Sequence, residues 1–223
     1  MAKAKIIGVV KKATNTGKNA GKNFKIGFLA WGNTVSNTRG LSLATKFVQS
    51  DLEAPIEFSR VAKSKKIVPV IDFNHGRANK LFLAISKLSN LEKAAKEFIK
   101  KEGINASRVC IVDAKNSLQS ERMTAFEPIS KNIYEFCKKN KLDAVIFNGL
   151  GRKWKDSGLN ENFSVDSAGR YLESLSGKTQ KSAVDYLKSI HKDISSPFLD
   201  QFRESIGGKK SKTKSTAKMV KIN

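Results

Sequence analysis

FKIGFLAW, residues 24–31, is the stretch on which the fold turns. Its apolar residues run together toward the end, as in a strand buried on both faces. The run stops at Gly32, where small polar residues take over through GNTVSNTRG, residues 32–40. A strand that leads straight from a core into a polar loop belongs to a covered sheet, and helices are expected to pack around it.

Reading outward, KIIGVVK at 5–11 is expected to be a strand, and the Gly/Asn/Lys-rich segment 14–23 a loop. Residues 41–49 are read as a short helix. Pro55 opens a strand pair, 56–62 and 67–73, with a turn at 63–66. Pro69 has no N–H to donate, so the second strand of the pair belongs at an edge or a bulge. Asn74-His75-Gly76 is a turn, and 80–86 is the next strand. Ser89-Asn90-Leu91-Glu92 has capping-box spacing ahead of a helix over 91–101. Leu91, Ala94, Ala95, Phe98 and Ile99 form its apolar stripe. A strand at 108–112, a helix at 122–140 with Pro128 in its first turns, and a strand at 144–148 follow. Helices at 164–175, 180–194 and 196–206 complete the chain.

Strands dominate the first two thirds and helices the last. The expected class is mixed α/β (α+β), a small mixed sheet or partly closed β-barrel with packed helices. The expected boundaries are a basic N-terminal strand and loop at 1–23, a core at 24–150, a helical C-terminal extension packed on it at 151–206, and a basic disordered tail at 207–223.

The 223 residues carry a net charge of +22, unevenly spread. Nine Lys/Arg and no acid precede Asp51, and six lysines and no acid follow position 206. The stretch between them holds 27 basic and all 20 acidic residues, a surplus of seven. Acid-free ends of this kind attract polyanions by counterion release, but no run has the spacing of a known nucleic-acid motif. No apolar run approaches the roughly 20 residues of a membrane helix. Cys110 and Cys137 lie inside apolar patterns and read as reduced core thiols, consistent with a cytoplasmic protein.

The chain has no Walker motif, no Gly-x-Gly-x-x-Gly after a strand and no cluster with metal-ligand spacing. No cofactor and no metal are expected. Two features carry chemistry. The junction Trp31-Gly32-Asn33-Thr34 ends a buried strand in glycine and small polar residues, a setting in which several backbone N–H groups can converge on one carboxylate or oxyanion. Glu102 lies three residues after Ile99 and four after Phe98, so it continues the apolar face of the helix and points toward the core or a cavity. A carboxylate in that position suits proton transfer. Glu57 and Arg60 are candidate cavity residues. Strict strand alternation turns them to opposite faces unless a bulge intervenes.

The two features together resemble the gamma-glutamylcyclotransferase-like family. Residues 28–34, FLAWGNT, are similar to its strand–loop with Tyr-Gly-Ser followed by Asn or Leu, and Lys101-Glu102-Gly103-Ile104 to its Glu-Gly element, in which the Glu is catalytic. The likeness covers roughly 24–113, with a helical extension beyond it as in a bacterial branch. Trp31 stands where the family has Tyr, Asn33 where it has Ser, and Thr34 where it has Asn or Leu. The resemblance implies a cofactor-independent transferase acting on a small molecule with a gamma-glutamyl amide. Glu102 would be the general acid/base, and Trp31, Gly32, Asn33 and Thr34 would bind the glutamyl group. The alternatives are a catalytically silent small-ligand-binding module of the same fold and a nucleic-acid-associated protein that uses its basic ends.

Overall fold

The computed structural model describes residues 24–207. Seven strands are present in this range: β1 (Ile26–Ala30), β2 (Val48–Val61), β3 (Ile67–Ile71), β4 (Arg77–Ile85), β5 (Val109–Asp113), β6 (Leu118–Gln119) and β7 (Ala144–Asn148). Six α-helices accompany them: α1 (Asn33–Ser36), α2 (Leu91–Glu102), α3 (Glu127–Lys139), α4 (Val165–Ser174), α5 (Gly177–Lys188) and α6 (Pro197–Ile206). The strands form one open mixed sheet in the order β3-β2-β4-β1-β7-β5-β6, so of the two expected architectures the mixed sheet is the one found. The predicted strand at 5–11, the loop at 14–23 and the basic tail from 208 onward lie outside the described residues.

The described residues divide into two units, residues 24–54 with 80–150, and residues 55–79 with 151–207. In the first, β1 is the central strand. It pairs antiparallel with β4, Gly27 opposite Ile85, and parallel with β7, Ile26 opposite Ala144 and Leu29 opposite Phe147. All five β1 residues are buried, as the unbroken apolar run predicts. Helix α2 covers one face, its Leu91, Ala94, Ala95 and Phe98 meeting Ile26, Phe28, Val109, Ile111 and Ile146. Phe98 stacks on Phe28 with ring centroids 5.5 Å apart. Burying a side chain of this size contributes roughly 2–3 kcal/mol, which is what fixes α2 on the sheet. The Asn90 side chain accepts from the Lys93 N–H at the start of α2, and Gly103 closes it in the left-handed region at φ 62°.

Two elements of this unit differ from expectation. The helix expected over 41–49 is absent: Leu43 makes a single bridge to Ser86, bends follow, and 48–49 begin β2. Ala44 donates to the Ile85 carbonyl (2.7 Å) and Lys87 to the Ser42 carbonyl (2.8 Å), so the segment takes up the backbone groups at the end of β4. Ser42 is also held by the Glu97 carboxylate through its N–H (2.8 Å) and its hydroxyl (2.7 Å). These partners outweigh a weak local helix preference. The predicted helix over 122–140 begins as a 3-10 turn at Glu121–Phe126 and becomes α-helical only from Glu127. Pro128 is the cause. It sits in the first turn of α3, where its missing N–H costs nothing, and it could not sit inside a longer helix.

In the second unit, the end of β2 pairs antiparallel with β3, Ile56 opposite Ile71. β3 is the edge strand, which accommodates Pro69. Helix α5 starts at Gly177 and stops at Lys188, shorter at its end than the predicted 180–194. Ser164 and Ser167 form a reciprocal capping box on α4, and Ser196 caps α6 through the Leu199 N–H at 3.1 Å. Phe58 packs on Phe198, and Trp154 packs edge-on against Phe163 and Tyr171. Among the described residues, no helix is long and apolar enough to cross a membrane.

Candidate functional site

β1 and β7 are parallel neighbours, so their carboxyl ends emerge side by side. This is the general position of ligand sites in sheets with parallel strands. β1 leads into Trp31, Gly32 and the single turn α1; β7 leads into Asn148 and Gly149. Gly32 has φ 80° and ψ −145°, a conformation that essentially requires glycine. It turns the chain sharply and places Thr34, itself buried, against the end of α2.

There Thr34 meets Glu102. The Thr34 hydroxyl donates a short hydrogen bond to Glu102 Oε1. From the other side, Asn148 Nδ2 donates to Glu102 Oε2 at 2.8 Å. The Asn148 amide is fixed in turn, because its Oδ1 accepts from the Leu150 N–H at 2.9 Å. Three chain segments far apart in sequence thus converge on one half-buried carboxylate. Each hydrogen bond to an ionised group contributes roughly 1.5–3 kcal/mol where water is excluded, enough to hold Glu102 in one orientation.

Trp31 is 8% exposed, with its ring 6.2 Å from that of Phe147, which alternation turns to the face of the sheet opposite Asn148; Phe147 in turn meets Phe126 edge-on. Asn33 is half-buried at the start of α1. The first N–H groups of a helical turn have no intrahelical acceptor, and residues 32–34 stand at the start of such a turn. Chemically, the arrangement offers a carboxylate oriented by two side-chain donors at the carboxyl ends of two parallel strands.

Glu57 and Arg60 belong to the second unit. The ladder shifts register between them, so a bulge falls where strict alternation would fail. Phe58 and Ser59 between them are both fully buried. Arg60 Nη1 donates to the Gly151 carbonyl at 2.9 Å. Glu57 is fully buried, and its Oε1 accepts from the Phe58 N–H and the Ser196 hydroxyl, each at 2.7 Å. Its Oε2 is buried with no hydrogen-bond partner among the described residues. Burial pushes the Glu57 carboxyl above its ordinary range, aided by the nearby Asp72 charge. The Ser196 hydroxyl and the Phe58 N–H oppose this, as does the Phe198 N–H, which stops short of hydrogen-bond geometry. Burial also pushes Asp72 upward, but the Ser59 hydroxyl (2.6 Å), the Asn74 N–H and neighbouring His75 outweigh it and leave Asp72 below the usual carboxylate range. The cysteines are free and buried; burial raises both thiols, Cys137 to about 12.

Asn148 is the site residue that sequence reading missed. It appeared only as the last residue of a buried strand. Its one distinguishing mark is a side-chain amide at the carboxyl end of an otherwise apolar run, AVIFN, and that mark gains meaning only once β7 is known to run parallel to β1.

Comparison with models of known protein families, with characterised proteins and with solved structures finds no match in any of the three.

Proposed function

We propose that this chain is a gamma-glutamylcyclotransferase-like protein that cyclises a gamma-glutamyl amide to 5-oxoproline with release of an amine. The observation that supports this most is the bond from Thr34 to Glu102, which joins the loop after β1 to the end of α2. In the reaction, the free α-amine of the glutamyl group attacks its own side-chain carbonyl. A C–N bond forms, closing a five-membered lactam, and the bond to the departing nitrogen breaks. Glu102 takes a proton from the attacking amine and returns one to the departing nitrogen, so the carboxylate is regenerated. The backbone N–H groups of residues 32–34 hold the glutamyl moiety and face the oxyanion that develops on the carbonyl oxygen. Because nucleophile and electrophile belong to one molecule, holding the folded-back conformer supplies much of the acceleration.

The second reading, a binding module without turnover, draws on the same geometry. Both Glu102 oxygens already accept a hydrogen bond, one from Thr34 and one from Asn148, which is also how a purely structural carboxylate is held. One experiment separates the two. The protein and its Glu102→Gln variant are incubated with a panel of gamma-glutamyl amino acids and gamma-glutamyl amines, and 5-oxoproline is quantified. Turnover by the parent that falls at least 100-fold in the variant supports the enzyme. Binding of panel members with no 5-oxoproline from any of them supports the module.

A further inference from the structure

Two separate demands meet at the carboxyl end of β7. Position 148 holds a side chain that donates to Glu102 and is itself held. Asn148 does both, through Nδ2 to Glu102 Oε2 at 2.8 Å and through Oδ1, which accepts from the Leu150 N–H at 2.9 Å. Position 149 has no room for a side chain. A Cβ there would lie 2.7 Å from Cys110 Sγ and 2.8 Å from both the Arg108 carbonyl oxygen and Arg122 Cγ, closer than packed atoms tolerate. The result is the one Asn-Gly pair in the chain. Such a pair is chemically labile, because glycine has no Cβ to obstruct its own backbone nitrogen as it attacks the preceding side-chain carbonyl.

In that reaction the Gly149 nitrogen bonds to Asn148 Cγ and gives its proton to solvent base. The Cγ–Nδ2 bond breaks, and Nδ2 leaves as ammonia. Water then opens the five-membered succinimide at either carbonyl. One opening gives aspartate; the other gives isoaspartate, in which the backbone runs through the former side chain. The folded chain ties down every reacting group. The Gly149 N–H donates to the Arg108 carbonyl at 2.8 Å, Leu150 holds Oδ1, and Glu102 holds Nδ2. Asn148 is only half-buried, so water reaches it once these bonds open.

We propose that Asn148–Gly149 is a self-modification site that Glu102 keeps locked, and that its conversion sets a second carboxylate against Glu102. The side chain cannot turn toward the Gly149 nitrogen without leaving Glu102, so loss of that carboxylate frees it. In the aspartate product a carboxylate oxygen replaces the NH2 that faces Glu102 Oε2, and two carboxylates at hydrogen-bond distance do not both ionise freely. The inference rests on the hydrogen bonds of Glu102 and not on the substrate proposed for it, so it stands or falls apart from the gamma-glutamyl reading.

Conversion is followed at pH 8 by mass spectrometry of the tryptic peptide 142–152, in which Asn148 is the one asparagine. The chain unfolded in guanidinium chloride is compared with the folded parent, Glu102→Gln and Glu102→Ala, with circular dichroism as the check on folding. The folded parent is expected to convert roughly 10-fold or more slowly than the unfolded chain, since the bonds to Glu102 and Leu150 must break first. Glu102→Ala is expected to convert about 10-fold faster than the parent, the range of one hydrogen bond to an ionised group, and Glu102→Gln, which keeps an acceptor, to fall between them. If Glu102→Ala does not fold, Glu102→Asp, with its carboxylate one methylene further back, takes its place. No conversion at Asn148 in the unfolded chain overturns the site. A folded parent as fast as the unfolded chain, or an alanine variant no faster than the parent, overturns the lock. Asn148→Asp copies one product. Its urea midpoint should approach the parent's at pH 5 and fall below it at pH 8, because the paired carboxyls hold a proton in the folded chain that the unfolded chain gives up. That widening should be absent when Glu102→Gln is the background. Equal midpoints for Asn148→Asp and the parent at both pH values overturn the second half of the proposal.

Discussion

Replacing Glu57 by glutamine should change how the stability of this protein depends on pH. In the folded chain burial favours the protonated carboxyl, whereas in the unfolded chain the group titrates near its ordinary 4.5. A group whose folded-state value is raised contributes its full stability below the unfolded value and loses it as pH rises toward the folded one. Between these limits the unfolded chain has given up a proton that the folded chain still holds, and stability falls by up to about 1.4 kcal/mol per pH unit. Asp72 does not obscure this, because it is held below its ordinary 3.8 and stays ionised throughout the window above it. Glutamine copies the protonated acid. Its carbonyl oxygen can accept from the Phe58 N–H and the Ser196 hydroxyl, as Glu57 Oε1 does, and its NH2 occupies the place of the unpartnered Oε2. Urea unfolding of parent and Glu57→Gln at half-unit steps from pH 4 to 8 should therefore give curves that meet near pH 4 and diverge above pH 4.5. The variant should be the more stable at neutral pH, by about 1.4 kcal/mol for each unit by which burial raises the carboxyl. Every other titrating group is common to both proteins and cancels in the difference. Parallel curves, or a variant that loses ground as pH rises, would refute the reasoning.

The remaining predictions concern the loop after β1. Thr34→Val keeps the shape and removes the hydroxyl that reaches Glu102; with Glu102 half-buried the expected cost is about 1–2 kcal/mol by urea unfolding. The rate of 5-oxoproline formation should fall by less than in Glu102→Gln, since the carboxylate remains and only its orientation loosens. Gly32→Ala forces a Cβ into a backbone conformation at φ 80° that L-residues avoid. It should destabilise by roughly 1–3 kcal/mol and weaken ligand binding by calorimetry; unchanged affinity would separate the loop from the site.

The contrast between Glu102 and Asn148 shows which parts of this site a sequence can disclose. Glu102 was legible because its information is local. The stripe Leu91, Ala94, Ala95, Phe98 fixes the helix phase, and the phase fixes the direction of a residue four beyond Phe98. Gly103 as the helix terminator was legible for the same reason, and so was the burial of β1. Asn148 was not, because its role depends on strand order. β7 lies 118 residues beyond β1, and nothing in either run states that the two pair in parallel. Residues 41–47 failed for a related reason, since their backbone partners lie on β4 and α2, and a local propensity worth tenths of a kcal/mol per residue cannot compete with these. The bulge at Glu57 is the intermediate case. Alternation marked the position as one where two polar residues conflict, and the register shift found there resolves it by placing Glu57, Phe58 and Ser59 in the interior in succession. A sequence therefore shows which side chains are unusual for their element. It does not show which of them meet, and here it is the meeting of Thr34, Asn148 and Glu102 that turns a helix-end carboxylate into a candidate acid/base.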